Sequence, residues 1–150
     1  MRKRLSEATK DAMRAKDKAR LSTLRLMNAA IKDRDIAARS EANPDGVADT
    51  EILSIMAKMI KQRQDSAKAY DEAGRIELGE GERNEIKVIE EFLPKQLSAE
   101  ETEAAIKAAI TESGAESIRD MGKVMGVLKS KYTGQMDFGK TGAAIKAILV

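Results

Sequence analysis

The sequence contains no cysteine, no histidine and no tryptophan. Each absence removes a class of chemistry. Without cysteine there is no disulfide framework, and without cysteine or histidine the common zinc ligand sets are gone. Ser–His and Cys–His nucleophilic pairs are excluded for the same reason. Carboxylates, lysines and tyrosines are left as acid–base groups, and they suggest no catalytic, metal or cofactor site. The aromatic residues are Tyr70, Phe92, Tyr132 and Phe138, too few for the stacking platform that holds single-stranded nucleic acid. No run of about 18 apolar residues occurs, so no membrane-spanning helix is expected. Met1-Arg2-Lys3-Arg4 leads into Leu5-Ser6-Glu7 rather than an apolar stretch. Glu7 and Asp11 do not suit an organelle transit peptide. The expected location is cytoplasmic.

What is present favours helices. Hydrophobic residues make up 42% of the 150 residues and charged residues 35%, enough for a helical core and too apolar for a disordered chain. Ala, Leu, Ile and Met dominate, and these are helix formers. Charge is segregated. Residues 1–40 carry a net +7, residues 41–93 a net −6 and residues 94–150 a net +1. The basic arm and acidic middle either attract each other and solvate helix faces, or the arm forms a phosphate-facing surface.

Apolar periodicity predicts about seven helices and no strand, an all-α fold. Leu5, Ala8 and Ala12 mark the first helix. Asp17 caps a second helix with Leu21, Leu24, Asn28 and Ile31 on one stripe. Asn43-Pro44-Asp45-Gly46 predicts a turn. A third helix opens at Asp49 or Thr50, carries Ile52, Met56 and Met59, and stops at Gly74. Gly79 and Gly81 each weaken the start of the fourth by roughly 1 kcal/mol relative to Ala, so a frayed beginning is expected. Pro94 ends it. Pro94-Lys95-Gln96-Leu97 reads as a hinge-like connector, which divides the chain into a four-helix region, 1–93, and a three-helix region, 94–150. Ser98 with Glu101 forms a capping box, and Ser117 with Asp120 resembles a second.

Four patterns bear on function. Gly134-Gln135-Met136-Asp137-Phe138-Gly139-Lys140-Thr141 matches the phosphate-loop letters G-x-x-x-x-G-K-T. That chemistry needs a buried strand before the loop and a parallel sheet around it, and neither is predicted. Gly122 and Gly126 lie four apart inside a helix and together cost roughly 2 kcal/mol, so a close backbone approach should offset them. The approaching group is either a neighbouring helix or an RNA or protein partner. Lys58, Lys61, Arg63 and Asp65 crowd the third helix, as expected of an ion-pair network between helices. Arg14, Lys16, Lys18, Arg20 and Arg25 straddle the joint of the first two helices, where they neutralise the acidic middle or sit on a phosphate backbone.

These residues carry a family resemblance. Ala15-Lys16-Asp17-Lys18, Lys61-Gln62-Arg63, Ala73-Gly74-Arg75, Phe92-Leu93-Pro94-Lys95-Gln96-Leu97 and Asp120-Met121-Gly122-Lys123-Val124-Met125-Gly126 occur in order over nearly the whole chain. Together they resemble the YqeY family, free-standing relatives of the C-terminal tail domain of the GatB subunit of tRNA-dependent amidotransferases. The resemblance implies a three-helix C-terminal region like that tail domain. It also implies a non-catalytic accessory protein whose partner is tRNA or a tRNA-handling enzyme. Lys123 falls in the matching block and is the first candidate RNA contact, followed by Lys129, Lys131 and Lys140; Arg14, Lys16, Lys18 and Arg25 are the candidates at the basic joint. An alternative is a protein-interaction module on a synthetase or amidotransferase, with Met27, Met56, Met59, Met121, Met125 and Met136 as adaptable surface. A third reading is a carbon–nitrogen ligase component using glutamine as amido donor. That label is a relative's activity, because the sequence supplies no glutaminase nucleophile system and no ATP site.

Overall fold

Asp17 separates the first two helices. Its carboxylate accepts the Arg20 backbone N–H at 3.1 Å and caps α2 (Lys18–Ala38). Just before it, Lys16 takes a φ of 55°, a conformation that reverses the chain after α1 (Arg2–Arg14). The two helices then pack through Leu5 and Ala12 on one side and Leu24, Met27 and Ile31 on the other, all buried. Asn28 sits on this apolar stripe without penalty, since its amide donates to the Thr9 hydroxyl at 3.1 Å.

The structure, a computed structural model, describes residues 1–39 and 46–149. The turn expected at Asn43-Pro44-Asp45 lies outside the described residues. Among those residues there are seven α-helices and no strand, so the all-α reading holds. No helix is long and apolar enough to cross a membrane. The chain divides into two compact units, Met1–Leu93 and Pro94–Val150.

In the first unit, α3 (Asp49–Glu72) and α4 (Ile76–Glu90) form a helical hairpin. Gly74 turns it with a φ of 74°, while the Arg75 N–H reaches back to the Tyr70 carbonyl at 2.8 Å. Ile52, Met56, Met59, Ile89 and Phe92 join the α1–α2 core. The frayed start expected of α4 is corrected: the helix runs from Ile76, and Gly79 is buried. A Cβ on Gly79 would lie 3.3 Å from the Ala67 carbonyl oxygen, so the glycine exchanges helix propensity for close packing. Arg63 bridges the hairpin, its Nε 2.7 Å from Glu85 Oε2. That is an ion pair between helices, of the kind the sequence suggests for this stretch.

Asp35 joins three segments. Its two carboxylate oxygens each accept from an Arg2 guanidinium nitrogen at 2.8 Å, and Oδ1 also accepts the Val47 N–H at 2.9 Å. The Arg2 hydrogen bonds, and then the Val47 amide, hold the carboxyl down at about 2. A folded value below the unfolded one stabilises the fold above pH ~4, and that contribution disappears as pH falls through about 2. Urea titrations at pH 4.5 and pH 2 therefore give a smaller loss of midpoint for Asp35→Asn than for the wild type. Equal losses would detach this clasp from acid stability.

In the second unit, Ser98 accepts the Glu101 N–H at 3.1 Å and Glu101 accepts the Ser98 N–H at 3.0 Å. This is the capping box at the head of α5 (Ala99–Ser113). The second box is corrected. Ser117 makes no side-chain cap, and a 3₁₀ turn, Ile118–Asp120, precedes α6 (Met121–Tyr132). Asp120 instead reaches back to accept the Glu116 N–H at 3.0 Å. Ala105, Ile106, Ala109, Val124, Leu128, Met136 and Ile145 form the core with α7 (Phe138–Leu149). Gln96 and Leu97, at the expected connector, donate to the Gly134 and Gln135 carbonyls and so tie the start of this unit to its α6–α7 turn.

Candidate nucleic-acid interface

Packing decides which side of α6 is free. Val124 and Leu128 are buried, and Met121, Met125 and Val127 are half-buried beside them. Gly122, Lys123, Gly126, Lys129 and Ser130 are all exposed, and their spacing of three and four puts them on one face. A Cβ on Gly122 or Gly126 would meet nothing within 4 Å. The reading in which a neighbouring helix approaches these glycines is corrected, because α6 meets α5 and α7 through its other side. The glycines leave a strip of helix backbone bare to solvent.

The charges around this strip are mainly positive. α6 contains three lysines and no acidic residue. Lys123 has a 71% exposed side chain, with Nζ 3.8 Å from Asp120 Oδ1. The Asp120 carboxyl is held below the usual range, chiefly by the Glu116 N–H and, more weakly, by the Ser117 N–H and Lys123. Lys129 is exposed and has no ion-pair partner among the described residues. Lys131 is engaged: its Nζ lies 2.6 Å from Glu112 Oε2 on α5, and that hydrogen bond pushes the amine up. Both Lys129 and Lys131 also sit in the last turn, where positive charge complements the helix dipole.

Lys140 stands on the first turn of α7, exposed, beside a groove of about 690 Å³ lined by Leu97, Ile106, Met136, Ala144 and Ile148. The phosphate-loop letters around it do not make a phosphate loop. The Gly139 and Lys140 N–H groups, which a phosphate would need, donate to Asp137 Oδ1 at 2.9 and 3.3 Å. Thr141 is buried, and its hydroxyl donates to the Asp137 carbonyl at 2.8 Å.

The basic joint belongs to the other unit. Arg14 lies 3.4 Å from Asp11, a long exposed pair. Lys16, Lys18 and Arg25 are exposed without ion pairs among the described residues. Lys18 and Arg25 flank Leu21, Ser22 and Leu26 along one shallow groove on α2. Arg20 leaves this cluster to pair with Glu91. Sequence reasoning misses that pairing, as it misses Arg4 stacked 5.3 Å over the Phe92 ring. Both join positions far apart in the chain, and no local pattern signals either.

None of the six methionines offered as adaptable surface is exposed. Met27, Met56, Met59 and Met136 are buried, and Met121 and Met125 are half-buried. They fill the two cores.

Residues 2–149 match a family model described as Yqey-like protein. A Kluyveromyces lactis protein named "Altered inheritance of mitochondria protein 41, mitochondrial" is 33% identical over 111 residues, 72% of this chain and 57% of that protein. Its Lachancea thermotolerans namesake is 30% identical over 105 residues, 70% and 54%. A Pyrenophora tritici-repentis protein of the same name is 31% identical over 134 residues, 88% and 71%. The chain thus spans little more than half the length of the first two. These names overturn the cytoplasmic expectation. It rested on the composition of the first residues, and similar proteins that are longer than the matched stretch are named mitochondrial.

Proposed function

Because the chain belongs to the Yqey-like protein family, we propose that it is a non-catalytic accessory protein that binds tRNA through the open face of α6. One observation carries the reading: Gly122 and Gly126 are exposed, and a Cβ added at either would meet nothing within 4 Å beyond its own helix backbone, although a helical glycine forfeits up to about 1 kcal/mol of propensity. A bare backbone strip flanked by Lys123 and Lys129 suits a phosphodiester chain. The absent Cβ atoms allow close approach, and the lysines supply phosphate contacts. Lys131, tied to Glu112, holds α6 against α5 at the edge of this face. A methionine-rich protein-docking surface has less support, since those side chains are packed inside.

The test is filter binding of total tRNA across a salt series. Two lysine–phosphate contacts give a slope of roughly −1.4 to −1.8 in log affinity against log salt. Lys123→Ala with Lys129→Ala removes most of that slope. Absence of salt-sensitive binding in the micromolar range rejects the reading.

A further inference from the structure

The far half of the α3–α4 hairpin stands outside the first core. Ile52, Met56, Met59 and Ile89 belong to the core cluster, whereas Ala67, Gly79 and Ile86 are buried outside it. Residues 71–78 are all exposed, and at the tip Ile76 and Leu78 are 61% and 46% exposed. Glu72, Glu77 and Glu80 are exposed and Glu82 is half-buried, and none has an ion-pair partner among the described residues. Asp71 and Glu85 are paired with Arg83 and Arg63. From Lys68 to Glu85 there are six acidic residues against three basic ones. Aliphatic side chains in a negative field suit a positive partner with apolar anchors of its own.

That complement lies on α2 of the same sequence. Lys18, Leu21, Ser22, Arg25 and Leu26 follow one another at helical spacing along a groove of about 330 Å³. Leu26 is 45% exposed, and no acidic residue occurs from Lys18 to Lys32. Within one chain, α2 meets the hairpin at its base, through Arg20–Glu91 and Arg34–Glu51. The basic stripe and the acidic tip therefore remain exposed together.

We propose that the acidic, aliphatic tip of the α3–α4 hairpin of one copy docks on the basic, leucine-bearing stripe of α2 of a second copy. Ile76 and Leu78 pack beside Leu21 and Leu26, while Lys18 and Arg25 face the tip carboxylates. The contact joins unlike surfaces, so it is head-to-tail: one copy keeps its stripe free and the other its tip, and further copies can add at either end. Both patches are small, which places the association in the weak, transient class. Electrostatic steering makes it stronger at low salt.

The experiment is sedimentation of the full chain from about 10 µM to about 1 mM, a range that brackets weak association, at low and high salt. Two variants are compared, a stripe reversal (Lys18→Glu with Arg25→Glu) and a tip reversal (Glu77→Lys with Glu80→Lys). All four side chains are exposed and free of ion pairs among the described residues, so the fold tolerates the changes. Expected is a weight-average mass that rises with concentration at low salt. Each reversal weakens association roughly tenfold, and an equimolar mixture of the two variants restores it. A monomer throughout overturns the proposal, as does association indifferent to both reversals or a mixture that fails to restore it. Loss of tRNA binding by the stripe reversal with no change in mass gives the stripe to RNA and overturns it as well.

Discussion

A Gly122→Ala, Gly126→Ala double variant melts at a higher temperature than the wild type and binds tRNA roughly tenfold more weakly, a loss of about 1.4 kcal/mol. The stability gain follows from the helix alone. Each replacement recovers up to about 1 kcal/mol of propensity, and the added methyl groups enter empty space. For a small unit, each kcal/mol raises the melting temperature by about 4–8 °C. The binding loss follows from the same two methyl groups, which hold a phosphodiester chain off the backbone of α6. Thermal melting by circular dichroism and filter binding on one preparation measure both. Higher stability with undiminished binding would remove the reason for a glycine face and with it the proposed surface.

Leu128→Ala destabilises the second unit by about 2–5 kcal/mol. Leu128 is fully buried at the centre of that core, against α5 and α7. A unit as short as Pro94–Val150 has a total stability on the order of 3–8 kcal/mol, so most of it is lost. Urea titration reads the change directly. Ile148→Ala, a 49% exposed position, is the control and stays within about 0.5 kcal/mol of wild type. A loss below about 1 kcal/mol at Leu128 would mean the core is centred elsewhere.

The contrast between Leu128 and Gly126 shows what was legible in the sequence. Val124 and Leu128 lie four apart on α6, and period alone places them inside. Ser98 and Glu101 are a local device whose geometry follows from three residues of separation. The open face of α6 was not legible. Gly122 and Gly126 announce close approach by something, but only the packing of α5 and α7 shows that nothing in the unit approaches them. The frayed start expected of α4 failed for a similar reason: Gly79 is read as weak until Ala67, twelve residues earlier, closes on it. At Ser117 the local pattern was present but the box did not form: the chain takes a 3₁₀ turn first, and Asp120 accepts the N–H of Glu116, one residue before the expected cap. The candidate contact Lys131 is bound to Glu112, and Arg20, beside the candidates of the basic joint, to Glu91, pairings set by tertiary proximity rather than spacing.

Asp137 has one more effect. By filling the amide cradle at the head of α7 with its own carboxylate, the chain carries a resident anion where eight letters of sequence advertise a vacancy for one. A visiting phosphate meets a like charge at that doorway, and Lys140 next to it has a neighbour that blunts its pull. The head of α7 is thus a poor landing point for nucleotides in spite of its spelling.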